Sequence, residues 1–180
     1  MVGDTEKCRL HAIDVTDPAH PAARGSLPID ELGWSLSAVR TWVYVGGWVL
    51  GGGLVVVDMS DPATPRRAGF VDLALATYDQ RIEGDRLYVV GQRAPEGMAL
   101  RIVDLANPGS PALLGRLDAV GEGKYLKNVV VRDGIAYAPD EYGATVLAID
   151  VSEPDRPIVR ATLGYGRVGT VYGLARSGDH

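Results

Sequence analysis

Apolar residues along this chain come in runs of four or five closed by an aspartate, and the runs recur. LHAIDVTDPAHP from Leu10, LVVVDMSDPATP from Leu54, LRIVDLANPGSP from Leu100 and VLAIDVSEPDRP from Val146 align without gaps. Their aspartates, Asp14, Asp58, Asp104 and Asp150, lie 44, 46 and 46 residues apart. The match continues to a small residue eleven positions on (Gly25, Gly69, Gly115, Ala161) and an aliphatic one thirteen on (Leu27, Val71, Leu117, Leu163). Such runs lack 3.6-residue spacing and predict short buried strands. The D-x-[ST/A]-[DNE]-P-x-x-P string after each predicts a tight turn, because proline cannot donate to a ladder and Asp, Ser and Thr side chains cap nearby backbone N–H groups.

The front half of each unit reads as a second hairpin, YDQRIEGDRLYVVGQ from Tyr78 and KNVVVRDGIAYAPDE from Lys127, turning at GD or DG. WSLSAVRTWVYVGG from Trp34 fits the same frame, with Arg40-Thr41 in place of the turn pair and Tyr44 matching Tyr88 and Tyr137. Four antiparallel strands in about 45 residues, repeated, is the size of a propeller blade. The expected fold is therefore all-β, a single β-propeller domain over residues 1–180, as a closed four-blade ring or part of a larger propeller. An open β-solenoid and a two-sheet sandwich are the competing arrangements. The chain starts in the back half of a unit and ends in YGLARSGDH, which matches a first strand and turn. One blade is thus expected to be shared between the N- and C-terminal segments, with a strand at 172–177 joining the sheet of Leu10–Asp14. The Met1 start carries no secretory leader, the pattern of a fragment or a processed chain.

These strings resemble the LVIVD-repeat family, whose units look like GLxIVDVSDPxxPxxxG. Departures are small: Ala106 and Asn107 replace Ser and Asp in the third unit, and Glu153 replaces Asp in the fourth. The resemblance implies β-propeller proteins, often secreted or at the cell surface, and brings no catalytic residues.

Composition narrows the remaining choices. The 180 residues are 46% hydrophobic with a formal charge of −5, in the globular range. Fifteen Arg and three Lys against 23 acids offer no basic face for a phosphate backbone, so nucleic acid is not an expected partner. The longest uncharged apolar stretch, Val43 to Val57, is interrupted by five glycines and too short to span a bilayer, so no membrane insertion is expected. A lone Cys8 excludes an internal disulfide framework. His11, His20 and His180 lack metal-ligand spacing, and the acids beside the prolines read as turn caps, so neither a metal nor a cofactor is expected. The glycines at 46–47 and 51–53 read as a hairpin loop.

Geometry supplies the candidate site. Aligning the front hairpins on their turns puts Trp34, Tyr78, Lys127 and Tyr172 at one level, where a channel mouth would be, and Ser35, Asp79, Asn128 and Gly173 at the next, with Arg81 two residues beyond Asp79. Aromatic faces converging with a few polar groups are how small-molecule sites are built; packing and hydration of the channel is the plainer role. The second-to-third-strand loops GGWVLGGG, GQRAPEGMA and PDEYGAT differ most between units and offer Trp48 and Tyr142 for a partner. The expected function is a non-enzymatic binding or scaffold propeller outside the cytoplasm, taking a protein or glycan on its loop face. The alternatives are an enzyme using Asp79, Arg81 and Lys127 at the channel mouth, and a structural module that self-associates through open strand edges.

Overall fold

The computed structural model describes residues 8–29, 32–48, 52–93, 97–118, 126–140, 144–164 and 173–175, and among them the ordered elements are all strands. β1 (Arg9–Asp14) and β2 (Ala22–Pro28) form a two-stranded sheet. Three four-stranded meanders follow: β3 (Leu32–Val39), β4 (Trp42–Trp48), β5 (Gly53–Asp58) and β6 (Arg66–Asp72); β7 (Ala76–Glu83), β8 (Arg86–Arg93), β9 (Gly97–Asp104) and β10 (Ala112–Leu117); and β11 (Val130–Arg132), β12 (Ile135–Asp140), β13 (Thr145–Asp150) and β14 (Ile158–Gly164). Pairing is antiparallel throughout, and each run ends its strand at the motif aspartate.

The runs of β5 and β9 are buried along almost their whole length because both faces of their sheets are covered. In β5, Leu54 and Val56 enter the cluster shared with the β7–β10 sheet, while Val55 and Val57 enter the one shared with β1–β2. In β8, Leu87 and Val89 face back into the first of these clusters, and Tyr88 and Val90 face forward to Leu126, Val131 and Ile149. The sheets therefore stack face to face in chain order, each buried Val or Leu contributing roughly 1.5–3 kcal/mol. First strands lie innermost, with β7 against β3 and β11, and fourth strands lie outermost.

The proline turns are built alike. The backbone N–H of Thr16, Ser60, Ala106 and Ser152 donates to Oδ1 of Asp14, Asp58, Asp104 and Asp150 at 2.9–3.0 Å. An i to i+3 backbone bond closes each turn, at His20, Thr64, Ser110 and Arg156. Arg24, Arg66 and Arg160, reaching from the fourth strands, clamp the second carboxylate oxygen of Asp14, Asp58 and Asp150. These hydrogen bonds, led by those from Thr16, Ser60 and Ser152, hold the three carboxyls below the usual range, Asp150 at about 2. Every fourth strand carries one bulge at the same place, leaving Arg24, Ala68, Leu114 or Arg160 without an opposite residue.

Several expectations need correction. Gly46 and Gly47 belong to β4 and not to a loop: a Cβ at Gly46 would overlap the Thr77 hydroxyl of the neighbouring sheet, so glycine is needed there for close approach. The variable loops are correspondingly shorter, since Gly91–Arg93 and Gly97–Ala99 are in β8 and β9, and Pro139–Asp140 in β12. The Arg40-Thr41 pair does make a two-residue turn, with Val39 opposite Trp42 and Arg40 at φ 53°. Among the described residues β1 is laddered to β2 alone and no ring closure is present; residues 173–175 are not in a strand, and the rest of the expected 172–177 strand lies outside the described residues. The architecture is thus a propeller-like series of four-stranded sheets.

Candidate functional site

The starts of β3 and β7, the ends of β4, β8 and β12, and the Leu126–Asp140 bridge lie at one end of the sheets; the two-residue hairpins and proline turns lie at the other. The predicted mouth residues and the second-to-third-strand connections therefore share a face.

On that face each first strand carries one irregularity. Gly33 is opposite Gly47 and Ser35 opposite Gly46, which leaves Trp34 extra; Thr77 is opposite Gly91 and Asp79 opposite Val90, which leaves Tyr78 extra. From Leu126 to Val130 is four steps, whereas their partners Asp140 and Tyr137 are three apart, so one residue is extra around Lys127 as well. The first predicted level is a row of bulges, a device that re-aims a side chain.

The structure brings part of that level together. The Lys127 ammonium sits 4.0 Å from the centre of the Tyr78 ring, a cation–π contact, and the Tyr78 hydroxyl donates to Gln92 Oε1 at 3.0 Å. Trp34 is elsewhere: it is 61% exposed and borders a depression with Cys8, Ile29 and Val45 beside the two-stranded sheet. Tyr172 and Tyr142 lie outside the described residues. Trp48 closes β4 opposite Leu32, and its side chain is likewise outside the description.

The second level is a chain of staples between sheets. Asp79 Oδ2 accepts from Asn128 Nδ2 at 2.8 Å and from the Val129 backbone N–H at 3.0 Å. Asn128 Oδ1 in turn accepts the Leu174 backbone N–H at 2.9 Å. Val129 and Leu174 are equivalent in the repeat, so residues 173–175 stand where the first strand of a following sheet begins. Arg81 is exposed and borders a cavity of about 380 Å³ with Glu83, Val131 and Leu174.

Two features escaped the sequence reading. Arg101 occupies the place of Val55 in the motif, is 1% exposed, and donates to the Leu73 and Leu100 carbonyls at 2.9 and 3.0 Å. Its ion pair with Asp118 spans 2.6 Å at an angle outside hydrogen-bond geometry, and Arg93 holds the other Asp118 oxygen at 3.2 Å. Burial pulls the Arg101 pKa down, and Asp118 opposes it. The second feature is a polar seam between β3, β4 and β7: Gln80 donates to the Tyr44 carbonyl at 2.8 Å, while the hydroxyls of Ser35 and Thr77 are buried without a partner. An arginine within an apolar run was the available signal for the first; nothing in the sequence marks the second. No group of three metal-ligating side chains occurs among the described residues.

In comparisons with known proteins, no curated protein matches in sequence. The structure is similar to that of a protein from Bacteroides uniformis ATCC 8492 named as a proposed 6-phosphogluconolactonase, with TM-score 0.65 and 11% identity over 83% of this chain and 47% of that one. It is also similar to a chain of a nidogen/laminin complex, with TM-score 0.54 and 15% identity over 87% of this chain and 56% of that one. This chain thus spans about half the length of each, and at such identities the likeness is one of fold. Residues 34–72 and 81–119 match the family described as the LVIVD repeat. Each matched segment coincides with one four-stranded sheet, β3–β6 and the bulk of β7–β10, so the structural repeat is in phase with the two segments that match the LVIVD repeat.

Proposed function

We propose that this chain is a non-catalytic binding or scaffold propeller, acting outside the cytoplasm, that takes a protein or glycan partner on the face where its second-to-third-strand loops emerge. The observation supporting this reading is the engagement of Asp79. It is the carboxylate that a channel-mouth enzyme would need as acid or base, and it is committed to Asn128 and Val129 as an inter-sheet staple. Lys127 is likewise engaged, with the Tyr78 ring, and Arg81 borders a cavity whose lining includes neither Asp79 nor Lys127. What differs between units on that face is the loop sequence, and variable loops on a rigid scaffold commonly carry recognition.

The test is an array of surface glycans and extracellular proteins probed with the full chain and three variants. Trp48→Ala and Tyr142→Ala should each lower binding of any captured ligand at least tenfold, and Asp79→Asn should leave it unchanged. A hydrolytic or isomerising activity that Asp79→Asn abolishes in a protein of unchanged circular dichroism would replace this reading with the enzymatic one.

A further inference from the structure

Arg101, the buried arginine of β9, stands directly opposite Arg116 of β10, and opposite residues of an antiparallel pair point to the same face. Like charges so placed repel. The same register elsewhere holds Val55 opposite Phe70, Leu147 opposite Thr162 and His11 opposite Ser26, so facing arginines occur here in the β7–β10 sheet alone among the described residues. Arg93 joins them from the end of β8. Its partner Gly97 lies four residues along β9 from Arg101, an even number, which puts all three guanidinium groups on one face.

That face is internal to the chain: Ala99 and Val103, on either side of Arg101, enter the cluster shared with the β3–β6 sheet. Asp118 takes Arg101 on one oxygen at 2.6 Å and Arg93 on the other at 3.2 Å. Arg116 is exposed and makes no ion pair among the described residues. Burial is the first cause of the lowered Arg101 pKa, and Arg116 and Arg93 add to it, so the three charges lie within electrostatic reach. The chain as a whole carries −5, which makes this concentration of arginine a local feature. It opens on the loop face, since Arg93 ends β8 and β10 ends at Leu117, and Arg93 holds the repeat position of Tyr142.

We infer that Arg116 and Arg93, with Arg101 beneath them, bind the carboxylate of an acidic sugar in a glycan partner, and that Asp118 accepts from a hydroxyl of the same sugar. The inference rests on the loop-face reading above and names the class of its ligand. Guanidinium groups take carboxylates through paired N–H donors, and an anion beside Arg116 offsets a repulsion that the fold otherwise carries. The side chains at the rim are donors around one acceptor, with Arg93 38% and Asp118 34% exposed. A sugar acid answers both, because its carboxylate needs donors and its ring hydroxyls need an acceptor. The side chain of a peptide Asp or Glu answers only the donors.

The test is isothermal titration calorimetry of the full chain with oligogalacturonate and with a hyaluronate oligosaccharide, against the methyl ester of oligogalacturonate and a hexaglutamate peptide. At least one acidic oligosaccharide should bind, and the ester should not. Arg116→Gln should cut that affinity about tenfold or more, whereas Arg156→Gln, which removes a positive charge from a proline turn at the opposite end, should leave it unchanged. In thermal melting without ligand Arg116→Gln should match or exceed the wild type, and the bound oligosaccharide should raise the midpoint of the wild type alone. Failure of both oligosaccharides to bind at millimolar concentration, Arg116→Gln binding like the wild type, Arg116→Gln melting below it, or hexaglutamate binding as tightly as either sugar would each overturn the inference. Captured ligands that depend on Trp48 and Tyr142 but not on Arg116 would sink this inference and leave the loop-face reading standing; ligands indifferent to all three would remove both.

Discussion

Replacing Gly115 and Gly69 by alanine separates docking between sheets from everything else a glycine does. The two residues hold the same repeat position, in β10 and β6, and neither has a positive φ. By backbone alone, alanine should therefore stabilise both sites by about 0.4–1 kcal/mol, through the lost freedom of the unfolded chain. At Gly69 the nearest atom to a new methyl is Val56 Cβ at 4.0 Å, an ordinary contact, so that gain should survive. At Gly115 the methyl falls on the Pro154 carbonyl with Asp155 Cα 3.4 Å away, and since both are backbone the β11–β14 sheet must move. Overpacking of this kind costs about 1–3 kcal/mol. The net expectation is a Gly115→Ala protein destabilised by about 1–2 kcal/mol and a Gly69→Ala protein unchanged or slightly stabilised. For a chain of this length each kcal/mol moves the melting midpoint by about 2–4 °C. Urea titration and thermal melting followed by circular dichroism at 218 nm read the difference. Equal midpoints for the two variants would refute the role given to this position.

Other consequences can be measured on the same protein. Tyr44→Phe should cost about 0.5–1.5 kcal/mol in urea titration, the value of a buried hydrogen bond whose carbonyl partner is left unmet; burial lifts the Tyr44 pKa to about 12, so in an alkaline spectrophotometric titration one tyrosine should ionise late. Asp14, Asp58 and Asp150 have lowered folded pKa values, so the stability they contribute is complete above about pH 4, the unfolded carboxylate value, and is lost as pH falls through those lowered values, about 2 for Asp150. The triple Asp→Asn variant should therefore show a shallower loss of melting temperature from pH 4 to pH 2 than the wild type, and a parallel slope would count against the clamp. Asp118→Ala strands the Arg101 charge and should destabilise by about 2–3 kcal/mol, below the figure for a fully buried pair because Asp118 is 34% exposed. Arg101→Met, which removes the charge and keeps the volume, should cost less, and the reverse order would show that Arg101 acts by packing alone.

Strand positions were readable because the sequence repeats what the geometry repeats. The Asp-to-Pro strings located every proline turn, and the small residue at position eleven was visible as a regularity long before Pro62 and Pro154 gave it a cause. Loop lengths were not readable at Gly46 and Gly47, since a glycine pair looks the same whether it frees a loop or admits a neighbouring strand. Within the candidate site, alignment on the turns put Tyr78 level with Lys127 and Asp79 level with Asn128, and both pairs are in contact. It failed to separate Trp34 from them, because a repeat alignment gives the level of a residue along its strand but not which neighbouring sheet lies beside it. The partner of Asp79 sits 49 residues away, and no local pattern announces whether such a carboxylate serves chemistry or holds sheets together.

Near-identical repeats create a problem of order, because apolar faces that fit one neighbour fit any other. Val56 and Val89 share one cluster and Ile102 and Ile149 another, all of them interchangeable aliphatics, so the clusters alone would not stop sheets from docking out of sequence. The polar contacts are not interchangeable. The first internal interface between whole sheets uses Gln80 on the Tyr44 carbonyl and Tyr44 on Pro108; the second uses Asp79 on Asn128 and Val129. Exchanging the sheets would bury Asp79 against Ser35 in place of Asn128 and leave the carboxylate without its amide donor, a cost of several kcal/mol for a charged group removed from water. The side chains that depart from the repeat at the inner strands therefore fix which sheet follows which.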